Sequence, residues 1–372
     1  MGEKVISEDW RYSNLSKVQG FITEGTSLPF FQVDESEFIF RVENLRKIGS
    51  VVSFKGGKVC QSSIEFTESE KSTALEDHPI IEFNKKESKA RYSFSLESVS
   101  EKPIFLVYML DAPAQAYQIG IELKNDANIV EVFVSSPNSK SAELVSVLTE
   151  IIVSADTNLK HTVIGNLEKK SRLSHFLNVV QHADSRSQLF NLSLGGEYSR
   201  FDLRNYLCGP GAKSNLGGLY LKSENEFVDH CTKVFHEAPD TESQQLYKGV
   251  LGGNSKAIFN GVIKIKENCP NSKTNQLNRN LIVSKKAEAI SRPQLEILTD
   301  NVKANHGMTI GSLNPNEIFY LTSRGIPQET AHDMLADAFV NEVIDQYVGN
   351  SISGMVKGMI VSSWPQLRGE LR

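Results

Sequence analysis

The chain has 372 residues, of which 40% are apolar and 23% charged, and 40 Lys plus Arg against 45 Asp plus Glu give a formal net charge of −5. This composition excludes a disordered chain, and the slightly acidic balance speaks against a dedicated nucleic-acid binder. The length suits two or three domains, or one long β architecture.

The amino terminus, Met1 to Asp9, carries early acids and no apolar stretch. With no apolar run long enough to span a bilayer, this predicts a cytoplasmic chain, outside the membrane, with free thiols. Cys60, Cys208, Cys231 and Cys269 lie far apart without a CxxC pair, so a self-contained zinc or iron–sulfur cradle is not expected.

Residues 1–75 read as a mixed amino-terminal region. Glu37–Val42 alternates like a half-buried strand, and Val51–Phe54 ends at a Gly56-Gly57 turn. Thr67–Glu76 is polar and reads as a linker. Residues 76–312 read as the β core. Its apolar runs include Ile129–Val134, Gln188–Leu194, Ser199–Leu207, Gly217–Leu221, Glu226–Phe235, Gln245–Leu251, Ala257–Ile265 and Asn278–Val283, separated by Gly, Asn, Ser and Asp turns. Ala142–Ala155 is the exception, with Leu144, Val145, Leu148, Ile151 and Ile152 at helical spacing. The pattern leaves a sandwich, a barrel and a stacked solenoid open; more than 200 such residues are long for a sandwich and also suit a parallel β-helix, though the sequence has no exact repeat.

Residues 313–372 change to helix. Asn314-Pro315-Asn316-Glu317 predicts an N-cap with Pro at N1 and Glu at N3, and Gly325 a stop. A second helix begins at Pro327, with Ala331, Leu335, Ala338, Phe339 and Val343 as its apolar face. A third places Ile352, Met355, Val356, Met359 and Ile360 on one stripe and ends at Trp364-Pro365.

Few residues carry chemistry on spacing alone. Gly209-Pro210-Gly211-Ala212-Lys213-Ser214 imitates a phosphate loop, but Ala212 and Leu207 stand where glycines are required. It reads as a turn, and no ATP site is expected in this chain. His230 and His236 would lie roughly 20 Å apart along one strand, too far to share a metal ion. They read as two separate hydrogen-bonded residues, and Cys231 as a buried, inert thiol. In an extended chain Val302, Ala304 and His306 share a face, and His306 before Gly307 is the candidate metal ligand.

Ordered motifs then carry a family resemblance. They are Asp229-His230-Cys231-Thr232 with His236, Ser243–Leu251, Ala257–Gly261, Asn280–Val283, Leu295–Gly311 and Ile318–Ile326. Together they strongly resemble the SufB/SufD family of iron–sulfur cluster assembly scaffolds, over roughly residues 190–345. His306-Gly307 looks like the SufD branch. The resemblance implies a right-handed parallel β-helix with a helical carboxy-terminal domain, and a scaffold rather than an enzyme. It implies pairing with SufB and docking of the SufC ATPase, which would handle ATP. Phe319, Tyr320, Arg324, Leu335 and Phe339 are then the candidate docking residues. Many relatives carry Cys two residues before this histidine, where this chain has Ala304. The expectation is therefore no cofactor held stably by this chain alone, and a transient iron or iron–sulfur cluster at the SufB interface with His306 as one ligand. A homodimer is possible without SufB. The competing reading is a polysaccharide-acting β-helix enzyme using carboxylates such as Asp202, Asp229 and Glu237.

Overall fold

The computed structural model of the protein describes residues 42–69, 79–97, 102–110, 114–135 and 143–368. The strand read at Glu37–Val42 lies outside these residues except for Val42, which opens a helical turn. In chain order the strands are β1 (Ser50–Lys55), β2 (Lys58–Ser62), β3 (Thr67–Ser69), β4 (Arg91–Leu96), β5 (Ile104–Leu110), β6 (Ala114–Leu123), β7 (Ala127–Ser135), β8 (Glu143–Val153), β9 (Asn158–Leu167) and β10 (Ser171–Gln181). They continue as β11 (Arg186–Gly195), β12 (Tyr198–Leu207), β13 (Lys213–Lys222), β14 (Phe227–His236), β15 (Glu242–Leu251), β16 (Lys256–Ile265), β17 (Lys273–Ile282), β18 (Glu288–Ile297) and β19 (Lys303–Gly311). The helices are α1 (Pro79–Glu87), between β3 and β4, then α2 (Pro315–Ser323), α3 (Gln328–Tyr347) and α4 (Asn350–Arg368).

From β4 onward the chain alternates between two sheets. One has the order β19-β17-β15-β13-β11-β9-β7-β5-β1-β2, the other β18-β16-β14-β12-β10-β8-β6-β4-β3. Pairing is parallel throughout each stack, except for antiparallel β2 and β3 at one end. The fold is thus a parallel β-solenoid, mainly β, with helices at its carboxy-terminal end. Each coil supplies one strand to each sheet, and inward-facing side chains stack in columns along a closed lumen.

The coil corners explain several sequence features. Asp156, Asp184, Gly211, Asp240, Asn271 and Asn301 all have positive φ. Asn, Asp and Gly tolerate this left-handed conformation best. Successive corners bond to one another, with Asn301 Nδ2 donating to Asn271 Oδ1 (2.6 Å) and Asn271 Nδ2 to Asp240 Oδ1 (2.9 Å). The Gly209–Ser214 stretch is one such corner, so its glycines serve backbone geometry. A Cβ on Gly211 would sit 2.2 Å from Asp184 Oδ1.

The segment with helical spacing, Ala142–Ala155, is strand β8 instead. Val145, Val147, Ile151 and Val153 face the lumen, while Leu144 and Leu148 pack outward against Phe83, Ile80 and Ile81 of α1. Burial on both faces erased the two-residue alternation and imitated a helix. Thr67–Ser69, read as the start of a linker, pairs as β3 with β4.

The helices α3 and α4 lie on the outer face of the odd-strand sheet. Ala336, Val340, Val343, Ile344 and Tyr347 of α3, with Ile352, Val356 and Ile360 of α4, join Phe190, Leu192, Leu219, Leu246 and Val250 in a second core. The buried stripe of α3 is rotated from the expected one: Ala338 is exposed, and Leu335 and Phe339 are half-buried. Its C-terminal half makes the sheet contact, which displaces the stripe toward Val340 and Ile344. Lys248 fixes this junction, donating to Phe339 O (2.7 Å) and to Glu342, with its ammonium 4.3 Å from the Phe339 ring centre. α4 continues past Trp364-Pro365 to Arg368, its last turn held by buried Leu367. α2 is capped as read: Asn314 Oδ1 accepts from Asn316 N (3.0 Å), and Gly325 (φ 86°) ends it with Ile326 N donating to Leu321 O.

Gly211→Ala is expected to cost about 1–3 kcal/mol in urea unfolding, because the corner demands a left-handed residue. Gly354→Ala, in an open position on α4, is expected to stabilise by about 0.5–1 kcal/mol.

Candidate functional site

The two ends of the solenoid differ. At the first end, antiparallel β2 and β3 turn across the sheets, and Val59, Ile64 and Phe66 pack onto the lumen core. At the other end β18 and β19 are the last strands of their sheets. Pro293 sits within β18, a residue that sheets tolerate on edge strands.

Register shows what the open end presents. His306 continues the inward column Leu216–Gln245–Gln276, and Ala304 continues Ser243–Thr274. Met308 follows Tyr247–Asn278, and Ile310 follows Gly249–Asn280. On the facing strand, Ser291, Leu295 and Ile297 continue the inward positions Phe259, Ile263 and Ile265. Elsewhere these columns are buried. Here Met308 is 50% exposed, Ile310 42% and Ile297 39%, and His306 is exposed. The end therefore resembles a core cut in half, with one imidazole on its rim. Ala304 and His306 do share a face, as the spacing implied.

The tail offers a second surface. No residue of α2 is buried. Phe319 is 72% exposed and Tyr320 55%, and the Arg324 guanidinium stacks 4.6 Å from the Tyr320 ring centre. These three residues form one exposed cluster. Phe339 does not join it, since it lies under Lys248 at the tail–sheet junction, and Leu335 is half-buried on α3.

Other residues singled out from the sequence sit apart from both surfaces. His236 points into the lumen, its Nδ1 2.7 Å from Thr241 Oγ1 and its Nε2 2.9 Å from Ser243 Oγ. Burial pushes its pKa down to about 4. His230 is also buried, and its Nε2 has no hydrogen-bond partner. Burial, Lys222 and Arg200 push its pKa down to about 3. Cys231 is buried, as read. Cys208 is exposed at a corner and donates to Glu237 Oε2 (3.4 Å); desolvation and that carboxylate raise its thiol to about 11. Among the described residues, no three His, Cys, Asp or Glu side chains are placed to hold a metal ion, and no helix is long and apolar enough to cross a membrane.

Sequence reasoning missed a charged cluster inside the lumen. Glu131, fully buried, accepts from His161 Nε2 (2.9 Å), His175 Nε2 (3.1 Å), Tyr108 OH (2.8 Å) and Thr149 Oγ1 (3.2 Å). Burial alone would raise the carboxyl pKa, but His175 and His161 overcome it and hold it well below the usual range. Inward positions on β7, β9 and β10 bring these residues together. Only the register relates them, since they lie 30 and 44 residues apart.

The described residues define the class of two-sheet parallel β-solenoids with a helical tail, one end formed by the edge strands β18 and β19. The family model for the SufBD core domain of SUF-system FeS cluster assembly matches residues 111–339. The chain belongs to that family, on its SufD branch. It is 30% identical over 223 residues to the iron–sulfur cluster assembly protein SufD of Escherichia coli, covering 59% of this chain and 52% of that one. It is 28% identical over 248 residues to the chloroplastic protein ABCI7 of Arabidopsis thaliana (64% and 51% covered). A SufBD family protein of Synechocystis is 32% identical over 179 residues (48% and 40% covered). The chain spans about half the length of the curated relatives it matches.

Glu131→Gln is expected to cost about 3 kcal/mol at neutral pH, because two buried imidazoles lose their charged acceptor. Glu131 has a folded pKa below its unfolded value near 4.3. Its contribution is therefore complete above that pH and is lost as pH falls toward the folded value. The variant is expected to show a flatter acid limb in urea midpoints taken between about pH 5 and 3.

Proposed function

We propose that this chain is the SufD-type subunit of an iron–sulfur cluster assembly complex, a scaffold rather than an enzyme. Its open solenoid end pairs with a SufB-type subunit, and its tail docks a SufC-type ATPase that handles the nucleotide. The observation that carries this reading is the uncovered last coil. Among the described residues, two edge strands there leave backbone groups unpaired beside exposed Met308, Ile310 and Ile297, a combination that sheet pairing with a partner satisfies. A second copy of this chain can cover the same end when the SufB-type subunit is absent.

Iron or a nascent cluster is cargo in this scheme. His306 stands where it can contribute one imidazole at the junction, and Ala304 contributes nothing. Thiolates or carboxylates must then come from the partner. Phe319, Tyr320 and Arg324 on α2 form the surface offered to the ATPase, since aromatic and Arg side chains dominate such contacts. A cytoplasmic setting is part of the same proposal; one of the relatives is a chloroplastic protein.

Calorimetry with purified SufB-type and SufC-type partners separates the two surfaces. Met308→Asp with Ile310→Lys is expected to weaken SufB-type binding at least tenfold and leave SufC-type binding unchanged. Phe319→Asp is expected to do the reverse. His306→Ala is expected to retain both contacts and lower iron–sulfur cluster yield on the reconstituted complex. Wild-type affinities in the first two variants would refute the assignment of surfaces, and a full cluster yield would make His306 structural only.

A further inference from the structure

The lumen holds a cavity that this function does not use. It offers about 30 Å³ of space open to a water-sized molecule, and His161, Asn191, His230 and Tyr247 are among the residues lining it. Three of its lining residues carry a buried polar atom without a hydrogen-bond partner: His161 Nδ1, Asn191 Oδ1 and His230 Nε2. Leaving one such atom unsatisfied typically costs about 1–3 kcal/mol, so three around one void require an occupant.

The chemistry of the wall selects the occupant. Ionised Glu131 is acceptor-only, so His161 Nε2, 2.9 Å away, carries a proton and donates. Its Nδ1 then presents a lone pair or, in the imidazolium form, an N–H. Asn191 adds an amide oxygen, and His230 a neutral ring nitrogen. One metal ion cannot reach all three. His161 on β9 and His230 on β14 lie two coils apart, roughly 10 Å at about 4.8 Å per strand spacing. Lys222, buried within electrostatic reach of His230, opposes a cation further. An anion would face the amide oxygen and the lone pairs. Water both donates and accepts, and two linked molecules span what one ion cannot.

We infer that the cavity is a hydration site, in which about two ordered, mutually hydrogen-bonded waters partner His161 Nδ1, Asn191 Oδ1 and His230 Nε2 as a structural part of the lumen. The volume exceeds the roughly 10–15 Å³ one buried water needs, and the polar partners suffice. A second observation points the same way. Unpartnered buried atoms continue along the lumen at Gln245 Nε2 and Gln276 Oε1, the latter directly beneath His306 in the stack.

The test is a high-resolution crystal structure of the full chain, with a second data set under xenon pressure. Ordered density is expected 2.7–3.2 Å from at least two of the three atoms, with no xenon in the cavity. As an independent readout, deuterium relaxation dispersion counts long-lived internal waters in solution. Asn191→Leu is expected to lower that count by at least one while circular dichroism stays unchanged. A dry cavity, or one that takes up xenon, overturns the proposal, as does an unaltered water count in a folded Asn191→Leu variant.

Discussion

A solenoid coil buries its inward face only against the next coil, and this single constraint shapes the protein. Stacking converts residues that are distant in sequence into columns, such as Leu216–Gln245–Gln276–His306. It also guarantees that the last coil has nothing below it. The first end escapes because β2 and β3 reverse direction and Phe66 closes the core. The last end has no such device among the described residues, so inward-type residues reach solvent. The proposed partner surface rests on that asymmetry, because an exposed half-core beside edge strands is what sheet pairing would cover.

The tail solves a separate problem. The odd-strand sheet is apolar on both faces, as Ile104–Leu110 shows with every residue buried, and its outer face needs cover. Helices α3 and α4 provide it, with Lys248 as the pinned contact. Burying an ammonium is costly unless its donors are satisfied. Here a backbone carbonyl, a carboxylate and an aromatic face meet it. With α3 and α4 committed to the sheet, α2 is left to carry the exposed aromatics.

Much of this was legible in the sequence. Short apolar runs between Gly, Asn and Asp corners located strands β11 to β17, and the Asn314 cap and Gly325 stop located α2. The shared face of Ala304 and His306 followed from strand parity alone. Errors arose where tertiary cover altered the pattern. β8 lost its alternation beneath α1, and the α3 stripe rotated to meet the sheet. Phe319 and Phe339 looked equivalent as candidates, yet one is exposed and the other lies beneath Lys248. The Glu131–His161–His175 cluster was out of reach for a different reason. Its members meet only through inter-coil register, and no local spacing encodes that register.

The central claim is that the last coil is completed by a SufB-type subunit. Hydrogen–deuterium exchange across the full chain, alone and with that subunit, tests it most directly. Edge backbone groups of β18 and β19 exchange readily while unpaired. The account predicts that adding the partner slows exchange selectively in residues 288–311. Unchanged exchange there, with protection appearing instead at β2 and β3, would contradict it.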